Sequence, residues 1–276
     1  MSTLSVARAA HAALGAITIL PERSKMKQMT RRSLCKNTLG SVLTLSLLET
    51  LYAANAFSVS VRPVINKWVA DLDALGRDVK EQKLGQIDWQ HKVEELFAVV
   101  DLPELLRLVD FEKLTKGVKI PDNGAKSMGF KFPEIEGIPK KVVFGKQIFG
   151  VKKGRSVVPH GHNNMATAFL VLGGELHGRH YDRVEDAEDH IIIRPTIDRS
   201  FSVGEYSTVS DYKDNVHWFK ANSEVAYIFN IHVLDTRPDS TVRTGRVYLN
   251  PNGEKLKGGL VRAPRMGYTE SHRMFG

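Results

Sequence analysis

The chain has 276 residues, of which 42% are apolar and 25% charged; this is ordinary globular material, with room for one large domain or two small ones. Its formal charge of +8 is uneven: seven of 39 basic and two of 31 acidic residues precede Phe57, which leaves 32 against 29, or +3, for the remainder. So mild and scattered an excess excludes a phosphate-binding stripe, and nucleic acid is not an expected partner.

The first element is a targeting segment, residues 1–56. Thr30-Arg31-Arg32-Ser33-Leu34-Cys35-Lys36 precedes an apolar run from Leu39 to Leu48 and then Ala54-Asn55-Ala56, the order of a bacterial export signal with a small-x-small cleavage site. The run is well short of the roughly 20 residues of a membrane span, and Glu49 interrupts it. The paired arginines resemble the twin-arginine class, whose cargo crosses the membrane already folded. The resemblance implies a periplasmic or secreted protein that meets the membrane only during export, with Phe57 as the first mature residue. Translation from Met26 or Met29 would leave this signal intact. Cys35 is the single cysteine, so the mature chain would have no disulfide, thiol nucleophile or cysteine-rich zinc site.

Residues 57–138 read as a helical preface and linker. Val64, Ile65, Trp68, Val69, Leu72, Leu75 and Val79 recur at near-helical spacing between Arg62 and Leu84. Asp88 is placed to cap a helix through Val100, and Asp101-Leu102-Pro103-Glu104 has capping-box spacing with proline in the first turn, opening a helix to about Leu114. The preface is expected to cover a barrel mouth or an edge strand. The stretch 121–141 is rich in Gly, Pro, Asn and Lys and lacks periodicity.

From about Pro139 the pattern changes to short runs of β-branched and aromatic residues: 142–151, 156–160, 167–172, 175–181, 191–194, 206–209, 216–219, 226–234 and 242–249. Many short strands at close spacing predict an all-β barrel or sandwich over residues 139–250. The tail, 251–276, has too many Gly, Pro and Lys residues to predict regular structure.

Inside the β region, Gly154 and His160-Gly161-His162 are followed by Thr167 and Gly174, with His217 further on. Residues i and i+2 of a strand point to one face, so His160 and His162 can project together into a barrel, and His217 can complete a three-nitrogen site. Three neutral imidazoles leave coordination positions open and suit iron, zinc, copper, nickel or manganese rather than magnesium or calcium.

The stretch His160 to Leu176 resembles the first cupin motif, with Thr167 where that motif usually has glutamate. His217 stands in for the ligand of the second motif, although Gly204 lies farther ahead of it than usual and Asn222 is displaced. The implied fold is mainly β, a single cupin barrel (a double-stranded β-helix or jelly roll). From His160 to Leu234 the chain is similar to thiol dioxygenases of the cysteine and cysteamine type. That resemblance implies iron(II) held by three histidines and no carboxylate, with a thiol and O2 as co-substrates. It also singles out His232, in Asn230-Ile231-His232-Val233-Leu234, as a catalytic candidate that hydrogen-bonds substrate or oxygen; the competing reading is a core histidine. Thr167 and Leu234 occupy the positions of that family's cysteine–tyrosine crosslink, which argues against free cysteine as substrate.

His177 and His180 share a strand on which one or the other can face inward, and both are left out of the ligand set. His91, His190 and His272 are expected to face solvent. Arg155, Tyr206, Trp218 and Tyr227 are candidates to line the pocket or to pack in the core. Three functions compete: an iron(II) dioxygenase acting on a small thiol; a metal-dependent cupin of another class, such as a ring-cleaving dioxygenase, lyase or isomerase; and a non-catalytic module binding a metal or small molecule. Self-association into a homo-oligomer is left open.

Overall fold

A computed structural model describes residues 64–276; the export signal expected over residues 1–56 lies outside them. Helix α1 (Ile65–Lys80) buries Trp68, Val69, Leu72 and Val79 on one face, as the spacing predicts. Helix α2 spans Gln86–Ala98, with Gly85 at its N-cap and Asp88 inside its first turn. Asp101 does cap α3 (Leu102–Leu108), its side chain accepting from the Glu104 backbone N–H. The single helix expected to Leu114 is two, because Asp110 turns left-handed (φ 51°) and restarts the chain as α4 (Phe111–Thr115). Asp is one of the few residues that tolerates this conformation at low cost. Among the described residues, no helix is long and apolar enough to cross a membrane.

The strands are β1 (Ala125–Met128), β2 (Gly145–Lys152), β3 (Ser156–Asn163), β4 (Met165–Gly173), β5 (Leu176–Asp186), β6 (His190–Phe201), β7 (Tyr206–Val209), β8 (Val216–Ala221), β9 (Val225–Leu234), β10 (Gly245–Leu249), β11 (Glu254–Lys255) and β12 (Val261–Met266), followed by helix α5 (Tyr268–Phe275). They form a five-stranded sheet, β1-β2-β9-β4-β7, and a seven-stranded sheet, β10-β3-β8-β5-β6-β12-β11. An added β10–β12 pairing bends the second sheet into a ring around Tyr181, Ile191, Ile193, Leu249 and Ala263.

Three expectations need correction. The β region begins before residue 139, because β1 pairs with β2 along its whole length. The tail 251–276 is not irregular: β12 pairs with β6 through Val261↔Ile193 and its neighbours, and α5 buries Ser271. Here tertiary pairing overrides a composition rich in turn formers. Strand β6 also runs on past Pro195, which sits opposite Tyr181 beside a register shift, one of the few places where a sheet accepts proline.

Strand alternation assigns the two faces of the five-stranded sheet. Ala168, Leu170, Phe229, Ile231 and Val233 face the preface and pack with Trp68, Leu72, Trp89 and Phe97, while Phe169, Val171, Ala226 and Ile228 face the second sheet. Trp68 and Phe97 stack at 5.6 Å, and the Trp68 indole N–H donates to the Leu96 carbonyl at 2.8 Å. Each fully buried side chain of this size contributes about 1.5–3 kcal/mol. The preface therefore covers a sheet face and reaches the edge strand β7, where Gln90 donates to the Thr208 hydroxyl at 3.2 Å; it is not a lid on the metal-bearing end.

Candidate metal centre

His160 and His162 stand on β3, and His217 stands opposite His160 on the paired strand β8. The three are 2%, 3% and 0% exposed. Their ring centroids lie 4.2 to 5.0 Å apart, and one ligand nitrogen from each falls within 4.8 Å of the others. They form the one such group of metal-capable side chains found among the described residues.

The Nδ1 atoms are all engaged. His160 Nδ1 meets the Val158 carbonyl at 2.8 Å, His217 Nδ1 meets the Asn215 carbonyl at 3.3 Å, and His162 Nδ1 meets the Thr167 hydroxyl at 3.2 Å. On His160 and His217 the partner is the carbonyl two residues back in sequence, Val158 on β3 and Asn215 just ahead of β8, which fixes the proton on Nδ1. That leaves Nε2 as the lone-pair donor, and Nε2 of His162 and of His217 is buried with no hydrogen-bond partner. A buried acceptor left unpaired costs about 1–3 kcal/mol; a divalent ion among the three Nε2 atoms would satisfy them. The donor set fits a transition metal, and this is a three-histidine metal-binding site.

Burial keeps all three imidazoles neutral, the state that binds metal. It is the largest cause in each case: His160 is lowered to about 3, with Arg246 adding to the effect. His162 and His217 are pushed well below the usual range by burial and then by neighbouring histidines.

The site opens into a small cavity of about 100 Å³. The five-stranded sheet contributes Phe149, Met165, Thr167, Phe169, Asn230, His232 and Leu234 to its wall; the other sheet adds Val157 and Arg246. No carboxylate is among these described lining residues. His232 does face the cavity, half-buried opposite Gly145 and Thr167. A Cβ on Gly145 would fall on its Nε2, so glycine there makes the room for this ring. Burial first, and Arg246 second, hold His232 below the ordinary histidine range.

Other candidates separate cleanly. His180 points inward, fully buried, opposite His217 on β5 with its Nε2 3.4 Å from the Ser207 hydroxyl. His177 points outward and pairs with Asp198. His91 is exposed, but His190 is half-buried beside Asp189 and His272 packs tilted against Tyr268 with ring centroids 4.3 Å apart, so neither is simply solvent-facing. Arg155, Tyr206, Trp218 and Tyr227 all miss this cavity. Tyr206 and Tyr227 pack against the preface, while Arg155 and Trp218 lie by the C-terminal helix. Arg246 and Asn230 line the site without any sequence signal of their own. For Asn230, its place two residues before His232 on one strand, and hence on the same face, is the available hint.

Two facing antiparallel sheets with all three ligands on one adjacent strand pair, β3 and β8, of the second match the architecture expected from the sequence. The fold is that of a cupin barrel. No family profile matches the sequence, and no curated protein matches it. Similar solved structures include an oxalate oxidase (17% identity over 49% of this chain and 61% of that one, TM-score 0.34). A cupin superfamily protein from Desulfitobacterium hafniense is 14% identical over 43% of this chain and 84% of that one, TM-score 0.29. Procruciferin, an 11S globulin from Brassica napus, is 13% identical over 34% of this chain, TM-score 0.27; the aligned stretch spans 21% of the globulin's length.

Proposed function

We propose that this cupin is an exported non-haem iron(II) dioxygenase that adds O2 to a small thiol or a comparable small organic substrate. The observation that carries the reading is a set of three neutral imidazole donors with no carboxylate in the cavity, the position of the usual glutamate being held by Thr167, whose hydroxyl is turned onto His162. A divalent ion held only by neutral ligands keeps its full charge, and so favours an anionic sulfur ligand. Bound iron(II) would supply the one-electron chemistry with O2 that no side chain of the chain provides.

The chain's own residues have separate tasks. Phe149, Met165, Phe169 and Leu234 keep the cavity wall apolar and limit water. At about 100 Å³ the cavity admits a few heavy atoms, given roughly 30 Å³ per water. His232, neutral and held beside the ligands, can donate or accept one hydrogen bond to the reacting group. The leader reading belongs to the same proposal: a protein exported folded can carry its ion with it.

The test is metal content and O2 uptake. Protein purified without air or chelator should hold near-stoichiometric iron, lose it when His160 and His217 are both changed to alanine, and consume O2 with a member of a thiol panel. Iron-loaded protein that leaves every thiol untouched would point to another cupin chemistry. Folded protein that takes up no metal even with iron added back would reduce the barrel to a binding module.

A further inference from the structure

The two ligand strands stop pairing where pairing matters most. His160 and His217 form the last backbone pair between β3 and β8; two residues beyond them stand His162, still on β3, and Asn215, just ahead of the start of β8. There the Asn215 side chain takes over from the ladder. Its Oδ1 accepts from the His162 backbone N–H at 3.1 Å, and its Nδ2 donates to the His162 carbonyl at 2.9 Å and to the Ser210 carbonyl at 2.8 Å. Asn215 is 1% exposed, and its own backbone carbonyl is the partner of His217 Nδ1 at 3.3 Å.

Gly161, between the two β3 ligands, is part of the same arrangement. A Cβ at that position would lie 2.6 Å from Asn215 Oδ1, closer than any ordinary contact, so a side chain there would drive the amide off His162. Arg183 adds a further donor to the His162 carbonyl at 2.9 Å.

We propose that Asn215 is the positioning residue of the metal centre: one residue that sets the backbone of His162 with its side chain and the ring of His217 with its carbonyl, through space that Gly161 leaves open. The inference rests on the three-histidine metal reading and not on any particular reaction. Amide chemistry is required. An aspartate keeps the acceptor for the His162 N–H but sets a carboxylate oxygen against two carbonyls, a glutamine is one methylene too long, and an alanine spans nothing.

The test is anaerobic titration of the full chain with cobalt(II) alone, following affinity and the visible ligand-field spectrum. Asn215→Ala, Asn215→Asp and Gly161→Ala should each weaken cobalt binding by about 10–100-fold, the usual range for residues that orient metal ligands, and should shift the cobalt spectrum. The Gly161→Ala, Asn215→Ala double variant should be no worse than the weaker single one, because both remove the same contact. Metal-free thermal melts show which variants fold, and Gly161→Ala, which keeps the amide itself, carries the test where Asn215→Ala does not fold. Cobalt affinity within two-fold of the parent with an unchanged spectrum would overturn the proposal, as would additive losses in the double variant. Failure of the parent chain itself to bind cobalt would instead remove the metal reading on which it rests.

Discussion

The Thr167 hydroxyl lies 3.2 Å from Nδ1 of His162, both side chains being almost fully buried. Thr167 thus acts as a partner of a neutral ligand and not as a charged ligand itself. Thr167→Val removes the hydroxyl with little change of shape; it is expected to weaken metal binding about ten-fold while leaving the metal-free fold intact. Thr167→Ser should retain tight binding. Calorimetric metal titration of the two variants separates them, and equal affinities would mean that the hydroxyl does not orient the ring.

Thr167→Glu makes the opposite change. A carboxylate at this position offers an anionic ligand and lowers the net charge of the loaded site, so affinity for a divalent ion should rise and affinity for thiolates should fall. Competition of small thiols for the cobalt-loaded protein, read in the visible spectrum, checks both directions.

Metal-free protein should lose stability as pH falls. His160 and His180 are each held at about 3 by burial, and His162 and His217 lie well below 6.5. Between about pH 6.5, where histidines of the unfolded chain take protons, and about pH 3, the unfolded chain binds more protons than the folded one. Stability is therefore full above pH 6.5 and declines through this window. Urea midpoints at pH 7.5, 5.5 and 4.5 should fall in that order, and a flat series would mean that the rings reach solvent.

Gly145→Ala should displace the His232 ring, since the added carbon falls on its Nε2. Overpacking of this kind costs about 1–3 kcal/mol, and turnover should fall further than the loss of stability accounts for. Arg246→Gln, by contrast, should leave the fold alone and raise the titration midpoint of His232, whose pKa Arg246 depresses. Histidine NMR across a pH series of the metal-free protein measures that shift.

Trp68→Ala should cost about 3–5 kcal/mol in urea unfolding, as expected for a fully buried aromatic side chain. Trp68 packs on Phe97 within the preface and on Phe229 of β9, so a much smaller loss would mean that the barrel stands without its helices.

The legible parts of the sequence were those where one local rule governs. Helix α1 follows from apolar spacing, the start of α3 from its aspartate cap, and the pairing of His160 with His162 from two-residue alternation. What was not legible depends on contacts far along the chain. β12 forms because β6 offers an edge to Val261–Pro264, and Arg246 reaches the cavity because β10 pairs with β3. Asn215 reaches His162 across 53 residues of sequence, and composition carries no trace of such a bond. His180 and His177 illustrate the limit: three residues apart, they had to face opposite ways, but the choice of which faced inward came from the register with β8.

All three metal ligands come from β3 and β8 of the seven-stranded sheet, whereas most of the cavity wall, from Phe149 to His232, comes from β2, β4 and β9 of the other. Metal binding and the shape of the cavity are thereby carried largely on separate plates. Thr167 apart, whose hydroxyl meets His162, substitutions that enlarge or reshape the second plate alter the cavity without touching a ligand histidine, so a change in which small molecule fits is within reach of single substitutions. Changes on the first plate that reach His160, His162 or His217 strike the ion's ligands directly, so the two plates answer to different constraints.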